Sequence, residues 1–235
     1  MRELLAARRR SVRDVWISET AEEAGVIAEI RGLAEEAGVA VRNVPRGRLD
    51  GEARTDAPQG VLAHAQPLPE TDLVEMCEGG EGAAATFLVV LAGVTDPQNL
   101  GALLRTAEVA GATGVVLPRH RAAHITPAVA TAAAGAIEHL PIAVVPGVPA
   151  ALSLVAGHGI WTVGLDAEAT TSLWDLELAT EPVGLVLGSE GAGLSRLTSE
   201  RCDVLVAIPQ GGRLGSLNVA AAGAIAAFEV ARRRT

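Results

Sequence analysis

Two polar side chains near the C-terminus follow an apolar run and a glycine-rich loop, a setting suited to ligand binding. Ser216 and Asn218 lie between the run 204–208 and an Ala-rich segment that favours a helix. Glycines let a ligand approach bare backbone, and the first turn of a helix offers unpaired N–H groups. With Ile208 and Leu217 as apolar walls, such a loop suits a flat heteroaromatic ring. Ser216 and Asn218 are also good helix caps, so both roles stay open.

Asn99 and Arg105 have a similar setting after the apolar run 87–92. We expect Asn99 at the cap of the next helix, and Arg105 between one and two turns later near the same end. The alternative is an ordinary capping Asn with a solvated Arg. No G-x-G-x-x-G pattern follows this run, which weakens an assignment as a nucleotide-dependent oxidoreductase.

Glu190 is the single carboxylate in a third polar segment, 188–194, which breaks the apolar run 183–187 with three glycines. We expect Glu190 at the tip of a strand. The alternative is a tight turn whose Glu side chain is simply exposed.

The elements that position these residues are predicted from apolar runs separated by segments long enough to be helices. Such a pattern is typical of a parallel α/β sheet covered on both faces. The predicted strands are 87–92, 115–117, 142–145, 160–163, 183–187 and 204–208. Ligands of these sheets bind at the carboxyl ends of the strands, so the three polar segments should meet at one edge.

Composition excludes several classes of protein. The chain has 235 residues, is 49% hydrophobic and carries a net charge of −9. All 19 basic residues are Arg, which excludes a P-loop lysine and a Schiff-base mechanism. Cys77 and Cys202 are too few for a disulfide framework, and the histidines lack metal-ligand spacing. No apolar run is long enough to span a membrane, and we expect a cytoplasmic protein.

The first part of the chain predicts a small α/β unit over 1–66. Strands are expected at 12–17 and 39–44, with a helix from the capping box Thr20–Glu23 toward Ala37. The acidic, glycine-rich segment 67–82 predicts a solvated linker. A cluster of arginines in the small unit predicts contacts with RNA phosphate, although acidic neighbours leave an ordinary solvated loop as the alternative. Its members are Arg42, Arg46, Arg48 and Arg54.

The three polar segments, in this order and spacing, resemble the three motifs of the SpoU-type RNA 2′-O-ribose methyltransferases of the SPOUT superfamily. The first part of the chain resembles the RNA substrate-binding domain that bacterial 23S rRNA guanosine members carry. The resemblance implies a catalytic domain over 83–235, with a C-terminal trefoil knot, an S-adenosylmethionine pocket and a homodimer.

The resemblance also implies roles for individual residues. The catalytic centre would comprise Asn99, Arg105, Glu190, Ser216 and Asn218. The cofactor would contact Leu187, Gly188, Ile208 and Leu217. Members of the family are proposed to use the first-motif arginine as a base, but a guanidinium has no acceptor. We therefore expect Arg105 to clamp phosphate and stabilise a developing alkoxide, oriented with the substrate by Asn99 and Glu190.

Departures from the family pattern bear on the substrate. The chain begins inside the usual first helix of the small domain, the segment 130–136 has Ala and Thr where relatives often have Lys and Ser, and Arg213 adds a charge to the third motif. The target is expected to be rRNA. The alternatives are transfer RNA as the target, or a non-catalytic RNA-binding protein with the same fold.

Overall fold

The computed structural model describes residues 1–22, 25–53, 59–79, 85–120 and 122–235. These residues form two compact units. The small unit comprises Met1–Pro69 with Gly135–His139, and the large unit comprises Glu70–Ala134 with Leu140–Thr235. No helix within the described ranges is long and apolar enough to cross a membrane.

The small unit contains a three-stranded sheet with helices. Its elements are α1 (Arg2–Ala7), β1 (Val12–Ser18), α2 (Val26–Glu36), β2 (Ala40–Val44), α3 (Arg46–Glu52) and β3 (Val61–Ala65). The strand order is β2-β1-β3, with β2 parallel and β3 antiparallel to β1. Val15 and Ile17 of β1 pack with Ile27 and Ile30 of α2, whereas Trp16 packs with Leu49 of α3. This alternation buries both faces of the central strand.

Helix α2 begins later than the capping box predicted. Its N-cap is Gly25, and Thr20 instead bonds the side chain of Ser18 through its hydroxyl and its backbone N–H. Thr20 therefore bonds locally to Ser18 and does not cap helix α2. Glu23 lies outside the described residues.

The large unit contains a seven-stranded parallel sheet. Its strands are β4 (Phe87–Leu91), β5 (Gly114–Pro118), β6 (Ile142–Val145), β7 (Trp161–Leu165), β8 (Thr171–Ser172), β9 (Val183–Leu187) and β10 (Val204–Ala207). Its helices are α4 (Leu73–Glu78), α5 (Pro97–Val109), α6 (Pro127–Ala132), α7 (Val148–Gly157), α8 (Arg196–Ser199) and α9 (Val219–Arg234). The strand order is β6-β5-β4-β9-β7-β10-β8. All six predicted strands are confirmed, and the short edge strand β8 was not predicted.

Close helix packing on the large sheet depends on two glycines. A side chain at Gly101 of α5 would overlap Ala132 and Ala133 at the end of α6, and one at Gly223 of α9 would overlap Leu103 of α5. Helix α5 therefore lies close to both α6 and α9. The motif residues of α5 and α9 are thereby carried by two helices in direct contact.

The segment 67–82 is not simply a solvated linker, because Leu73–Glu78 forms helix α4. Leu73, Met76 and Cys77 are buried in the core of the large unit. Burial raises the pKa of the Cys77 thiol to about 11. Leu73, Met76 and Cys77 are spaced about one helical turn apart, which is typical of a buried helix face. This spacing is a stronger signal than the acidic composition on which the linker prediction was based.

Candidate active site

The first motif begins helix α5 with Asp96 as its N-cap, and not with Asn99. The Asp96 carboxylate accepts hydrogen bonds from the backbone N–H groups of Gln98 (2.6 Å) and Asn99 (2.9 Å). Pro97 occupies the first helical position, where a missing N–H is tolerated. Asn99 therefore lies inside the first turn, and its side chain is left free for other partners.

The side chain of Asn99 joins the three motifs. Its Nδ2 donates to Glu190 Oε1 at 3.1 Å, and its Oδ1 accepts from Asn218 Nδ2 at 3.1 Å. Asn218 also caps α9, because its Oδ1 accepts from the N–H groups of Ala220 and Ala221. Asn218 therefore caps α9 and at the same time bonds Asn99 of the first motif, and its role as a site residue stays a prediction. We call the series Asn218–Asn99–Glu190 the amide network.

Glu190 is held by donors from the first motif. Besides Asn99, the N–H and hydroxyl of Thr95 donate to Oε2 at 3.3 and 3.4 Å, and the Asp96 N–H donates to Oε1 at 3.4 Å. Burial by itself raises the pKa of Glu190, but backbone hydrogen bonds and the Asn99 amide outweigh it and hold the pKa below its usual range. Glu190 is therefore an ionised acceptor at neutral pH, anchored to the β4–α5 loop.

The loop that carries Glu190 closes on itself. Ser189 and Gly193 exchange backbone hydrogen bonds at 2.9 and 3.0 Å, and both Gly191 and Gly193 have positive φ angles. A side chain at Gly188 would overlap the backbone of Gly193 and Leu194. The glycine at 188 is thus required by the loop's own backbone packing, independently of any ligand.

Leu187 belongs to the core of the large unit. Its side chain is buried, its carbonyl accepts from the N–H of Ala92 at 2.7 Å, and a side chain at Gly223 would contact its Cδ1. The predicted cofactor contact of Leu187 therefore finds no support from its position, since its side chain faces helix α9.

The third motif is open. Every residue from 209 to 218 is exposed, and Leu217 and Leu214 expose 43% and 83% of their surface. Ile208 follows β10 directly and is half-buried. Ser216 has no hydrogen-bond partner within the described ranges, and the helix cap that it was expected to share is supplied by Asn218. The loop thus exposes backbone and two apolar side chains beside the amide network.

Arg105 lies in the middle of α5 and is exposed. It makes no hydrogen bond or ion pair with any residue that the structure describes. Asn99 and Glu190 bond each other and do not orient Arg105, contrary to our expectation. Arg105 stands six positions after Asn99, which places the two side chains about 120° apart around the helix.

One arginine of the cluster in the small unit, Arg42, pairs with Asp14, which is 3% exposed. Burial raises the pKa of Asp14, but hydrogen bonds from His64 and Trp16 outweigh it and lower the pKa below its usual range. Arg42 Nε lies 3.4 Å from Asp14 Oδ2. Arg48 lies 4.9 Å above the centre of the Trp16 ring and has no acidic partner among the described residues.

The other two arginines of the cluster differ in setting. Arg46 pairs weakly with Asp50 on the surface of α3, at 3.6 Å. Arg54 lies outside the described residues. The described members stand on β2 and α3, and not in the solvated loop that we considered as an alternative.

Two residues that orient Glu190, Thr95 and Asp96, were not predicted from the sequence. Asp followed by Pro is a signal for a helix start and would have identified Asp96 as the cap. Nothing local marks Thr95. No group of three or more His, Cys, Asp or Glu side chains within the described ranges is placed to hold a metal ion.

Family models match both parts of the chain. The model described as the SpoU rRNA Methylase family matches residues 86–228, more than half of the chain. The chain belongs to the SpoU rRNA methylase family. The model described as RNA 2'-O ribose methyltransferase substrate binding matches residues 1–71. The resemblance drawn from the three motifs is therefore confirmed.

Members of the SpoU family with similar sequences include two curated proteins. The 23S rRNA (guanosine-2'-O-)-methyltransferase RlmB of Haemophilus influenzae is 42% identical over 201 residues, which are 84% of this chain and 80% of that protein. The RlmB of Pseudomonas putida is 38% identical over 234 residues, which are 98% of this chain and 92% of that protein.

A solved structure of the same family matches nearly the whole chain. The SpoU methyltransferase AviRb from Streptomyces viridochromogenes, crystallised in complex with the cofactor AdoMet, superposes with a TM-score of 0.81 at 25% identity. The match covers 99% of this chain and 87% of that chain. The predicted class, a parallel-sheet domain of the SpoU type with a small α/β domain, is therefore confirmed. The trefoil knot stays a prediction.

Proposed function

We propose that this SpoU family member transfers a methyl group from S-adenosylmethionine to a ribose 2′-hydroxyl of RNA, with a guanosine of 23S rRNA as the target. The amide network carries the proposal, because it joins residues of three separate motifs through two hydrogen bonds of 3.1 Å. The names of the H. influenzae and P. putida relatives support the choice of 23S rRNA.

The residues of the third motif fit S-adenosylmethionine, which supplies the methyl group when bound. Leu217 and half-buried Ile208 offer apolar surface for an adenine ring, and the exposed backbone of 209–218 offers donors and acceptors at its rim. We assign the pocket to Ile208, Leu217 and the backbone at Gly188. The AdoMet complex of AviRb supports this cofactor.

Catalysis by these residues consists mainly of positioning and electrostatics. Holding the two reactants in line removes about 7–11 kcal/mol of the barrier in favourable cases. The exposed guanidinium of Arg105 clamps a phosphate of the target nucleotide and stabilises negative charge on the 2′-oxygen as its proton leaves. Glu190 is a poor proton acceptor, because four donors already bond its carboxylate. We assign Ser216 to the substrate side of the site.

Residues 1–66 are proposed as the RNA substrate-binding domain and residues 83–235 as the catalytic domain. The segment between them, 67–82, carries helix α4, which packs in the core of the large unit. The substrate-binding family model over residues 1–71 supports this assignment. Arg42, Arg46, Arg48 and Arg54 are its proposed phosphate contacts. Arg48 is the best placed of these members, since Trp16 holds it and no acidic group among the described residues pairs with it.

We also propose a homodimer formed through the large unit and a cytoplasmic location. The exposed side chains of Val109 on α5 and Phe228 on α9 support an apolar interface, since these two helices pack together. Sedimentation of the wild-type chain and of Phe228→Asp tests the dimer. A monomeric wild type at micromolar concentration would reject it.

The function is tested by supplying labelled S-adenosylmethionine with purified 23S rRNA or with transfer RNA, followed by alkaline hydrolysis. A blocked 2′-oxygen leaves an alkali-stable labelled dinucleotide, whereas a methylated base does not. Label in such a dinucleotide from 23S rRNA is the expected result. Label from transfer RNA alone would transfer the assignment to that substrate, and binding of RNA without any transfer would indicate a non-catalytic protein.

A further inference from the structure

A basic loop in the large unit, residues 119–124 between β5 and α6, has no role in the three motifs. It contains Arg119, His120 and His124, all exposed, and Arg121, which lies outside the described residues. We call the described residues of this segment, 119–120 and 122–124, the β5 loop. Its side chains are donors of the kind that bind phosphate oxygens.

The charge of this region differs from that of the whole chain. The chain has a net charge of −9, yet residues 97–134 contain three arginines and two histidines with Glu108 as the single acidic residue. Glu108 lies in the last turn of α5, one turn after Arg105 and at the end away from Asn99. The loop after β5 therefore presents positive charge to an anionic polymer, whereas the acidic Asp96 and Glu190 lie in the loops after β4 and β9.

Backbone hydrogen bonds fix the β5 loop beside the candidate site. The N–H of Ala123 donates to the carbonyl of buried Val94 at 2.9 Å, and the next residue, Thr95, donates to Glu190. The N–H of Arg119 donates to the carbonyl of Val145 at 2.8 Å. Strands β4 and β5 are neighbours in the sheet, so their loops emerge side by side.

The acidic partner of Arg119 is weak. Arg119 Nη2 lies 3.7 Å from Glu70 Oε2, and both side chains are more than half exposed. Exposed pairs of this kind contribute little to stability, so a phosphate group competes readily for the guanidinium. Among the described residues His120 and His124 form no ion pair, and an imidazole donates at least one hydrogen bond in either protonation state.

We propose that the β5 loop binds backbone phosphates of the RNA next to the ribose that is methylated. This inference rests on the proposed function and adds a contact of the large unit to those of the small unit. Arg119 supplies the charge, and His120 and His124 add hydrogen bonds. The chemistry recognised is a phosphodiester, so the loop contributes affinity and position and no base sequence.

The test is binding of in vitro transcribed 23S rRNA by the full chain at several salt concentrations. The triple variant Arg119→Gln, His120→Gln, His124→Gln should bind about 3- to 10-fold more weakly, with a salt slope smaller by about 1. Arg119→Lys should retain most of the affinity, because a point charge suffices for a phosphate. Unchanged affinity and slope in the triple variant would overturn the proposal.

Arg201→Gln is the matched control. Arg201 is an exposed arginine of the same unit that precedes β10, at the amino end of the sheet, and bonds Ser153. It should leave RNA affinity and salt slope unchanged, and an equal loss in this variant would also overturn the proposal. Thermal unfolding of each variant reports whether the fold is intact.

Methyl transfer by the wild type separates this inference from the proposed function. If the wild type transfers methyl to 23S rRNA and the triple variant shows a raised KM for RNA with unchanged kcat, both stand. If transfer is absent while the triple variant still loses RNA affinity, the proposed function fails and the phosphate contact stands. Transfer with unchanged KM and affinity in the triple variant rejects the contact alone.

Discussion

The amide network and the surfaces around it represent two different kinds of site. Asn99, Glu190 and Asn218 satisfy one another and the backbone around them. Arg105, Ser216 and the loop 209–218 have exposed side chains, and neither Arg105 nor Ser216 has a partner among the described residues. The difference indicates that the protein assembles its positioning residues in advance and leaves its ligand contacts unsatisfied. Mutations in the amide network should therefore lower both stability and activity, whereas mutations of the exposed residues should lower activity alone.

The largest effect is expected on the open side, at Arg105. Arg105→Lys should lower methyl transfer to 23S rRNA by about 10³-fold, because an ammonium cannot reproduce the planar fork of the guanidinium. The Kd for S-adenosylmethionine and the melting temperature should stay at wild-type values, since Arg105 bonds no residue in the described part of the chain. Single-turnover transfer and calorimetry measure the two quantities. Full activity in this variant would remove Arg105 from the site.

On the preassembled side, Asn99→Ala should lower both stability and activity. It takes one donor from Glu190 and the acceptor from Asn218, so we expect about 1 kcal/mol less unfolding free energy and about 10²-fold slower transfer. Ser216→Ala is the control on the open side and should leave the unfolding free energy unchanged. Equal stability losses in the two variants, measured by urea denaturation, would contradict the contrast.

Two leucines provide a smaller test of the same boundary. Leu217→Ala should weaken S-adenosylmethionine binding about 10-fold by removing half-exposed apolar surface, with little effect on the apo protein. Leu187→Ala should instead lower the unfolding free energy by about 2–5 kcal/mol, because it opens a cavity in the core. Calorimetric titration and chemical denaturation of both variants give the comparison. If Leu187→Ala kept its stability but lost cofactor binding, Leu187 would be a cofactor contact and its assignment to the core would be wrong.

The smallest effect concerns the pH dependence of stability. The folded pKa of Glu190 lies below its ordinary value of 4.5, so its contribution is present above pH 4.5 and is lost as the pH falls through the folded pKa. Glu190→Gln should therefore flatten the stability profile just below pH 4.5.

The matched control for this profile is Glu229, whose hydrogen bonds with Arg232 and Arg233 outweigh burial and hold its pKa at about 2. Glu229→Gln should change the profile further down, toward pH 2. Denaturation midpoints between pH 2 and pH 7 distinguish the two variants, and identical profiles for wild type and Glu190→Gln would contradict the role of the hydrogen bonds.

The sequence predicts the sheet far better than the contacts within the site. Buried parallel strands are continuous apolar runs, so strands such as β4 and β9 are visible locally. The bond between Asn99 and Glu190 joins residues 91 apart in the chain, and that between Asn99 and Asn218 joins residues 119 apart. Such partners are decided by how the loops meet, which no local pattern contains.

Two local errors have a common origin. The cap was expected at Asn99 and the linker at 67–82, in each case because residue type was weighed above position. Asp96 before Pro97 is the stronger cap signal, and Leu73, Met76 and Cys77 have the spacing of a helix face. In both segments the position of a residue along the helix, and not its type alone, determines its structural role.

The double role of Asn218 makes the last helix a reporter of the site. Its Oδ1 holds the N–H groups of Ala220 and Ala221, while its Nδ2 holds Asn99. Fraying of the first turn of α9 would also release the Asn218 amide that bonds Asn99. Opening of this turn and loss of the bond between Asn99 and Asn218 are therefore coupled. The hydrogen-exchange rates of the Ala220 and Ala221 amides thus measure how often the site comes apart.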